Sequence, residues 1–121
     1  MDSILTSIKK ILGIAEEYEH FDDDLIIHIN SVLSILNQIG VGPTEGFSIE
    51  NKSDKWSDFI SMKNQLGMVK TYTALKVKQI FDPPLSSAVS EAINKTISEL
   101  EWRILHVTDL KESQKEENQN G

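Results

Sequence analysis

The sequence predicts an all-α fold: a compact bundle of about four helices, with a long loop between the second and third. Three observations predict it. Apolar residues recur at spacings of three and four in four separate segments. No segment shows a convincing apolar–polar alternation, so no strand is expected. Gly13, Gly40 and Asp82-Pro83-Pro84 stand at the ends of the periodic segments, where helices stop. A chain of 121 residues is one domain's worth, since two cores would each be too small to hold.

The first helix rests on Ile4, Leu5, Ile8, Ile11 and Leu12, which share one face. Asp2 or Ser3 can cap it, and Gly13 can take the left-handed conformation that ends it. The second helix is expected from Asp23 to Ile39. Asp22, Asp23 and Asp24 favour the positive end of its dipole, and Gly40 closes it. Its stripe is Leu25, Ile29, Val32, Leu33, Leu36 and Ile39, at about 100° per residue.

Gly40 to Lys55 sustains no period and is rich in Gly, Asn and Ser, so it reads as a long loop anchored by Phe47 and Ile49. Loops of this length are uncommon in small domains and often functional. A short helical turn follows at Trp56 to Ile60. The third helix is expected from Asn64 to Phe81, with Leu66, Val69, Thr73, Val77 and Ile80 on one face. Proline lacks the N–H and disfavours helix in the residue before it, so Pro83 and Pro84 end this helix. The fourth starts at Ser86 or Ser87 and runs to Leu110, striped by Val89, Ile93, Ile97, Leu100, Ile104 and Val107. Residues 1–110 then make the single domain. The tail at 111–121 has no apolar residue and reads as disordered.

Composition excludes several classes of function. Cysteine is absent, which removes disulfide scaffolds, Cys-ligated zinc and thiol catalysis. There is no phosphate-binding glycine loop, GxSxG or HExxH. His28 borders an apolar stripe and reads as a packed side chain. His20 with Asp22 and Asp24 lacks calcium-loop spacing and reads as a solvated helix start. No catalytic residue, cofactor or metal ligand is assigned. The N-terminus does not have the charge order of a secretory signal. The longest stretch without Asp, Glu, Lys or Arg, Leu25 to Thr44, is broken by Asn30, Asn37, Gln38, Gly40, Gly42 and Pro43, which a bilayer span would not tolerate together. A soluble protein, cytoplasmic or carried in a particle, is expected.

The net charge is −7, unfavourable for nucleic acid or anionic lipid as bulk partners. It is unevenly spread. Residues 1–58 hold 11 acids and 4 bases, residues 82–121 hold 8 acids and 4 bases, and residues 59–81 hold four lysines and no acid. A recognition helix can look like that, but this one has no arginine and one glutamine to read base edges. Pairing with acidic surface on another subunit is the favoured reading of Lys70, Lys76 and Lys78. Apolar residues off the core stripes point the same way. Ile27 lies opposite the second helix's stripe, Met68, Tyr72 and Leu75 form a second apolar side on the third, and Trp102 lies on the far side of the fourth. The candidate interface is therefore Ile27, Lys70, Tyr72, Lys76, Lys78 and Trp102.

Six segments give a family resemblance: IKKILGI, FDDDLIIHIN, IGVGPTEGF, WSDF, FDPPLSSAV and ELEWR, spread over roughly residues 8–104. With them the chain resembles the small head–tail connector (adaptor) proteins of tailed bacteriophages and of prophages of Gram-positive bacteria. The resemblance implies a helical subunit of a homo-oligomeric ring beneath the portal, at the head–tail junction of the virion, after assembly in the host cytoplasm. It implies contacts with the portal protein and with the next connector or tail-completion protein. DNA would pass through without sequence-specific binding, and no membrane is involved. Two other classes stay open: a small acidic protein-binding module, and a helical DNA-binding regulator using residues 64–81.

Overall fold

The computed structural model describes the backbone of residues 3–61 and 63–120, and the side chains of residues 3–61 and 65–108. Among the described residues five helices follow one another: α1 (Ile4–Leu12), α2 (Asp22–Gln38), α3 (Trp56–Phe59), α4 (Lys63–Phe81) and α5 (Ser87–Asn120). No strand forms among the described residues. One isolated bridge pairs Ser3 with Lys55, and the Ile4 N–H donates to the Asp54 carbonyl at 3.0 Å.

Helix α4 is the centre of the bundle. It packs against α1 and α2 on one side and against α5 on another. This position explains its two-sided composition. Val69, Thr73 and Val77 are buried, and so is Tyr72, whose hydroxyl donates to Glu101 Oε1 of α5 at 3.1 Å. Gln65 donates to Thr108 at 3.1 Å and Gln79 to Asn94, two more ties between α4 and α5. The second apolar side of this helix is thus taken up within the chain. A surface helix needs one apolar stripe; a central helix needs most of its circumference.

Helix α1 ends as its sequence predicts. The Ser3 hydroxyl accepts from the Thr6 N–H at 3.2 Å, and Gly13 closes the helix at φ 80°. Asp2, the other expected cap, lies outside the described residues. The packed face is rotated from expectation: Ile11 is 58% exposed, while Lys9 is buried. A nine-residue helix has few turns with which to fix its rotation, and Lys9 finds a carboxylate and two carbonyls on the protein side.

Helix α2 buries Leu25, Ile29, Val32, Leu33 and Leu36, as expected; Ile39 follows the helix and is partly buried. Its N-cap is Phe21, which offers no side-chain hydrogen bond, so Asp22, Asp23 and Asp24 favour this end through the dipole instead. Two asparagines of α2 hold the long loop. Asn30 donates to the Ile49 carbonyl at 3.0 Å and accepts from the Ile49 N–H at 2.7 Å. Asn37 donates to the carbonyls of Val41 (3.1 Å) and Pro43 (2.6 Å). Ile49 is buried and Phe47 partly so, as read from the sequence, and Val41 joins them in the core.

Helix α5 is longer than expected, running past Leu110 to Asn120. Residues 111–120 hold no proline or glycine and are mostly Lys, Glu and Gln, which carry little helix penalty. Lack of apolar residues removes a packing partner, not the local capacity for helix. Ile97 and Ile104 bury fully, whereas Val89 stays 49% exposed at the end nearest the proline turn.

Candidate functional site

The outward faces of α2, α4 and α5 carry the residues singled out for assembly. On α2, Ile27 is 62% exposed and shares its face with exposed Ser31, Ser34 and Ile35. From Leu25 to Gln38 this helix has no Asp, Glu, Lys or Arg. On α5, Trp102 is 65% exposed and stacks on His106, with ring centroids 5.3 Å apart and planes 4° from parallel. Leu105 lies beside them, 41% exposed.

Tyr72 does not belong on that surface. It is 0% exposed, enclosed between α4 and α5. Burial first, then the Glu101 charge and the hydrogen bond to it, push its phenol well above its ordinary range. Its sequence position on a second apolar side correctly marked burial, but the partner is α5 of the same chain.

The lysines of the basic stretch have partners within the subunit. Lys70 Nζ lies 5.9 Å from the centroid of the buried Trp56 ring, and Lys76 Nζ lies 5.9 Å from that of Tyr72. Both side chains lie along aromatic surface with their charge toward its π face. Lys78 Nζ is 3.7 Å from Asp82 Oδ2, a helical i,i+4 pair with both groups partly exposed. The fourth, Lys63, has its side chain outside the described residues. The charge island read from the sequence is therefore partly spent inside the chain, a consequence of α4 being central.

The segments that carried the family resemblance meet one another at packing junctions. Lys9 of IKKILGI pairs with Asp22 of FDDD at 2.8 Å. Phe21 of FDDD and Phe81 of FDPP meet edge to face, with centroids 5.0 Å apart. Phe47 of IGVGPTEGF packs on Phe59 of WSDF at 5.3 Å. Gly42, at φ 85°, lies so close under Phe59 that an added Cβ would meet that ring at 2.5 Å. Sequence reasoning did not identify Lys9, Asn30 or Asn37 as tertiary ties. The only signal was a polar residue next to an apolar stripe, which does not say what waits on the other side.

Among the described residues, no group of three or more His, Asp or Glu side chains is placed to hold a metal ion. No helix among them is long and apolar enough to cross a membrane. Three shallow concavities open to solvent; the one beside the end of α1 is lined by Thr6, Lys10, Gly13, Ile14, Ala15 and Glu16. A second is lined by Leu75, Ala88, Val89, Ala92, Ile93 and Thr96 between α4 and α5, and a third by Gly42, Pro43, Phe59, Gln65, Val107 and Thr108. The first has Lys10 and Glu16 as its ionisable lining, and the other two have none. What the geometry offers is surface.

No curated protein and no solved structure matches the chain. A family model described as phage connector protein matches residues 4–111, from the first residue of α1 well into α5. With that match over nearly the whole bundle, the chain belongs to the phage connector protein family, a structural family, and its role is that of a phage head–tail connector.

Proposed function

We propose that this chain is a virion subunit that forms a closed ring beneath the portal, joins head to tail and extends the DNA channel. One observation carries the reading: a connector family match over residues 4–111 coincides with large apolar side chains left outward on two helices that flank α4. A ring needs heterologous contacts, in which one patch of each copy meets a different patch of the next. Ile27 with Ile35 on α2, and Trp102 with Leu105 on α5, supply two such patches. Tryptophan is among the side chains enriched at the energetic centres of interfaces.

The partners in this reading are further copies of the chain, the portal protein, and the next connector or tail-completion protein. Assembly takes place in the host cytoplasm, and the mature location is the head–tail junction. Residues 1–110 are the connector domain. DNA passes without base readout: Lys70, Lys76 and Lys78 of α4 lie against Trp56, Tyr72 and Asp82, and the net charge of −7 repels a trapped duplex. Because those lysines have internal partners, the apolar faces, with Lys70, Lys76 and Lys78 at most at their rim, form the proposed interface.

Electron microscopy and sedimentation of the purified chain, alone and with the portal protein of the same particle, test the reading. Rings seated on the portal are the expected result. A chain that stays monomeric with the portal present, and is missing from purified particles, would overturn it in favour of a monomeric acidic binding module.

A further inference from the structure

The connection between α1 and α2 is attached to the bundle in an unusual way. Ala15 to His20 are all exposed, with Tyr18 at 50%. The backbone hydrogen bonds here are local: Ile14 to the Lys9 carbonyl (2.8 Å), Tyr18 to Ala15 (3.1 Å) and Asp22 to Glu19 (3.1 Å). Among the described residues, Lys9 is the one side chain that bonds to this stretch. Its ammonium donates to the carbonyls of Glu16 (2.9 Å) and Tyr18 (2.7 Å) and lies 2.8 Å from Asp22 Oδ1, with the side chain 2% exposed.

The electrostatics oppose closure everywhere except at that point. Glu16, Glu17, Glu19, Asp22, Asp23 and Asp24 crowd six carboxylates into nine residues. They repel one another, and one buried cation at their back gathers the chain. The ends suit a hinge: Gly13 holds φ 80°, and Phe21 starts α2 without a side-chain cap. Opening would expose little apolar area, since Ile14 is the only side chain of residues 14–20 packed on the core, and Phe21 stays with α2 against Phe81. It would strand no charge either. Asp22 belongs to α2 and stays beside Lys9, and water would reach the ammonium once the carbonyls leave it.

We propose that residues 14–20 form a strap that opens as a unit, with Lys9 as its latch, while α2 and α4 stay folded. Segments with few buried apolar contacts occupy the low end of the local-stability range. This one carries Glu16, Glu17, Tyr18 and Glu19, so it is the part of the subunit that can be re-seated against a neighbour without loss of the core. The latch does not depend on the ring reading and stands or falls on its own test.

Hydrogen exchange of the full chain decides it, read at the Ile14 and Tyr18 amides against those of Leu33 and Val77. In the wild type, the strap amides should exchange through an opening that low denaturant does not accelerate, while the core amides slow to the global rate. Lys9→Met keeps the stem and removes the charge. It should speed the strap amides by about tenfold or more, since charge-assisted hydrogen bonds each carry at least that factor, and leave Leu33 and Val77 unchanged. The proposal is overturned if the wild-type strap exchanges only by global unfolding or shows no protection at all. It is equally overturned if Lys9→Met leaves the strap unchanged, accelerates all amides alike, or unfolds the domain.

Discussion

The two tryptophans stand in regions built on different terms. Trp56 is 0% exposed, at the start of α3, with Lys70 of α4 over its ring. Trp102 is 65% exposed on α5, with His106 as its stacking partner. Next to Trp56, the start of α1 is tied to Asp54 and Lys55, and α4 supplies Lys70. Around Trp102, α5 rests on α4 with one flank and leaves the other outward. The difference teaches where this chain keeps its two kinds of information. The recognisable segments hold both: FDDDLIIHIN and ELEWR fix helix positions through Asp22 and Glu101, and carry Ile27 and Trp102 on their outward faces.

The largest effect expected from breaking this contrast is at Trp56. Trp56→Ala removes a fully buried ring and should cost about 3–5 kcal/mol in chemical denaturation, enough to unfold a marginal domain. A loss below about 1 kcal/mol would mean the junction collapses around the gap. Next comes the loop anchor. Asn30→Ala leaves the Ile49 N–H and carbonyl without their partner and should cost about 1–3 kcal/mol. Gly42→Ala should fall in the same range, about 1–3 kcal/mol, because the added Cβ meets the Phe59 ring at a left-handed φ. Pairing Gly42→Ala with Phe59→Leu in a double-mutant cycle sharpens that claim: strong coupling is expected, and additivity would place the cost in φ alone.

A smaller effect separates α4 from α5. Tyr72→Phe removes the hydrogen bond to Glu101 and should cost about 0.5–1.5 kcal/mol at neutral pH. The same tyrosine sets a pH dependence. Its phenol is held protonated in the fold, above its ordinary value of about 10. The folded state therefore binds a proton that the unfolded chain releases. That stabilisation is complete below about pH 10 and is lost as pH climbs beyond it. Between neutral pH and pH 11, the wild type should lose more stability than Tyr72→Phe, and parallel curves would remove Tyr72 from the account. The smallest expected change is at Trp102. Trp102→Ala should alter the melting free energy by less than about 0.5 kcal/mol, as surface changes do. It should nonetheless weaken ring formation on the portal, measured by sedimentation. Unchanged assembly would move the proposed contact off this face of α5.

Much of the fold was legible in the residues. The stripes Leu25–Leu36 and Ile97–Ile104 placed α2 and α5, Gly13 and the Asp82-Pro83-Pro84 turn ended their helices, and Phe47 and Ile49 were recognisable as loop anchors. These depend on period, caps and fixed φ, which act within a few residues. The outward position of Ile27 and Trp102 also follows from a helical wheel, because each lies opposite a clear stripe.

What period and propensity could not supply was which helix lies in the middle. Tyr72 reads as a second face on any wheel; only the arrival of α5 against α4 makes it interior and gives its hydroxyl Glu101. Lys70, Lys76 and Lys78 read as a free basic face until Trp56, Tyr72 and Asp82 are brought beside them. Lys9 reads as a solvated lysine until two carbonyls and Asp22 surround it. The sequence by itself determined the helical elements, where most of them stop, and the absence of cysteine chemistry, because those depend on local dihedral preferences and on composition. The tertiary structure decided burial, partners and charge balance at α4 and at the α1–α2 connection. Those depend on residues tens of positions apart meeting in space, and no local period records such meetings.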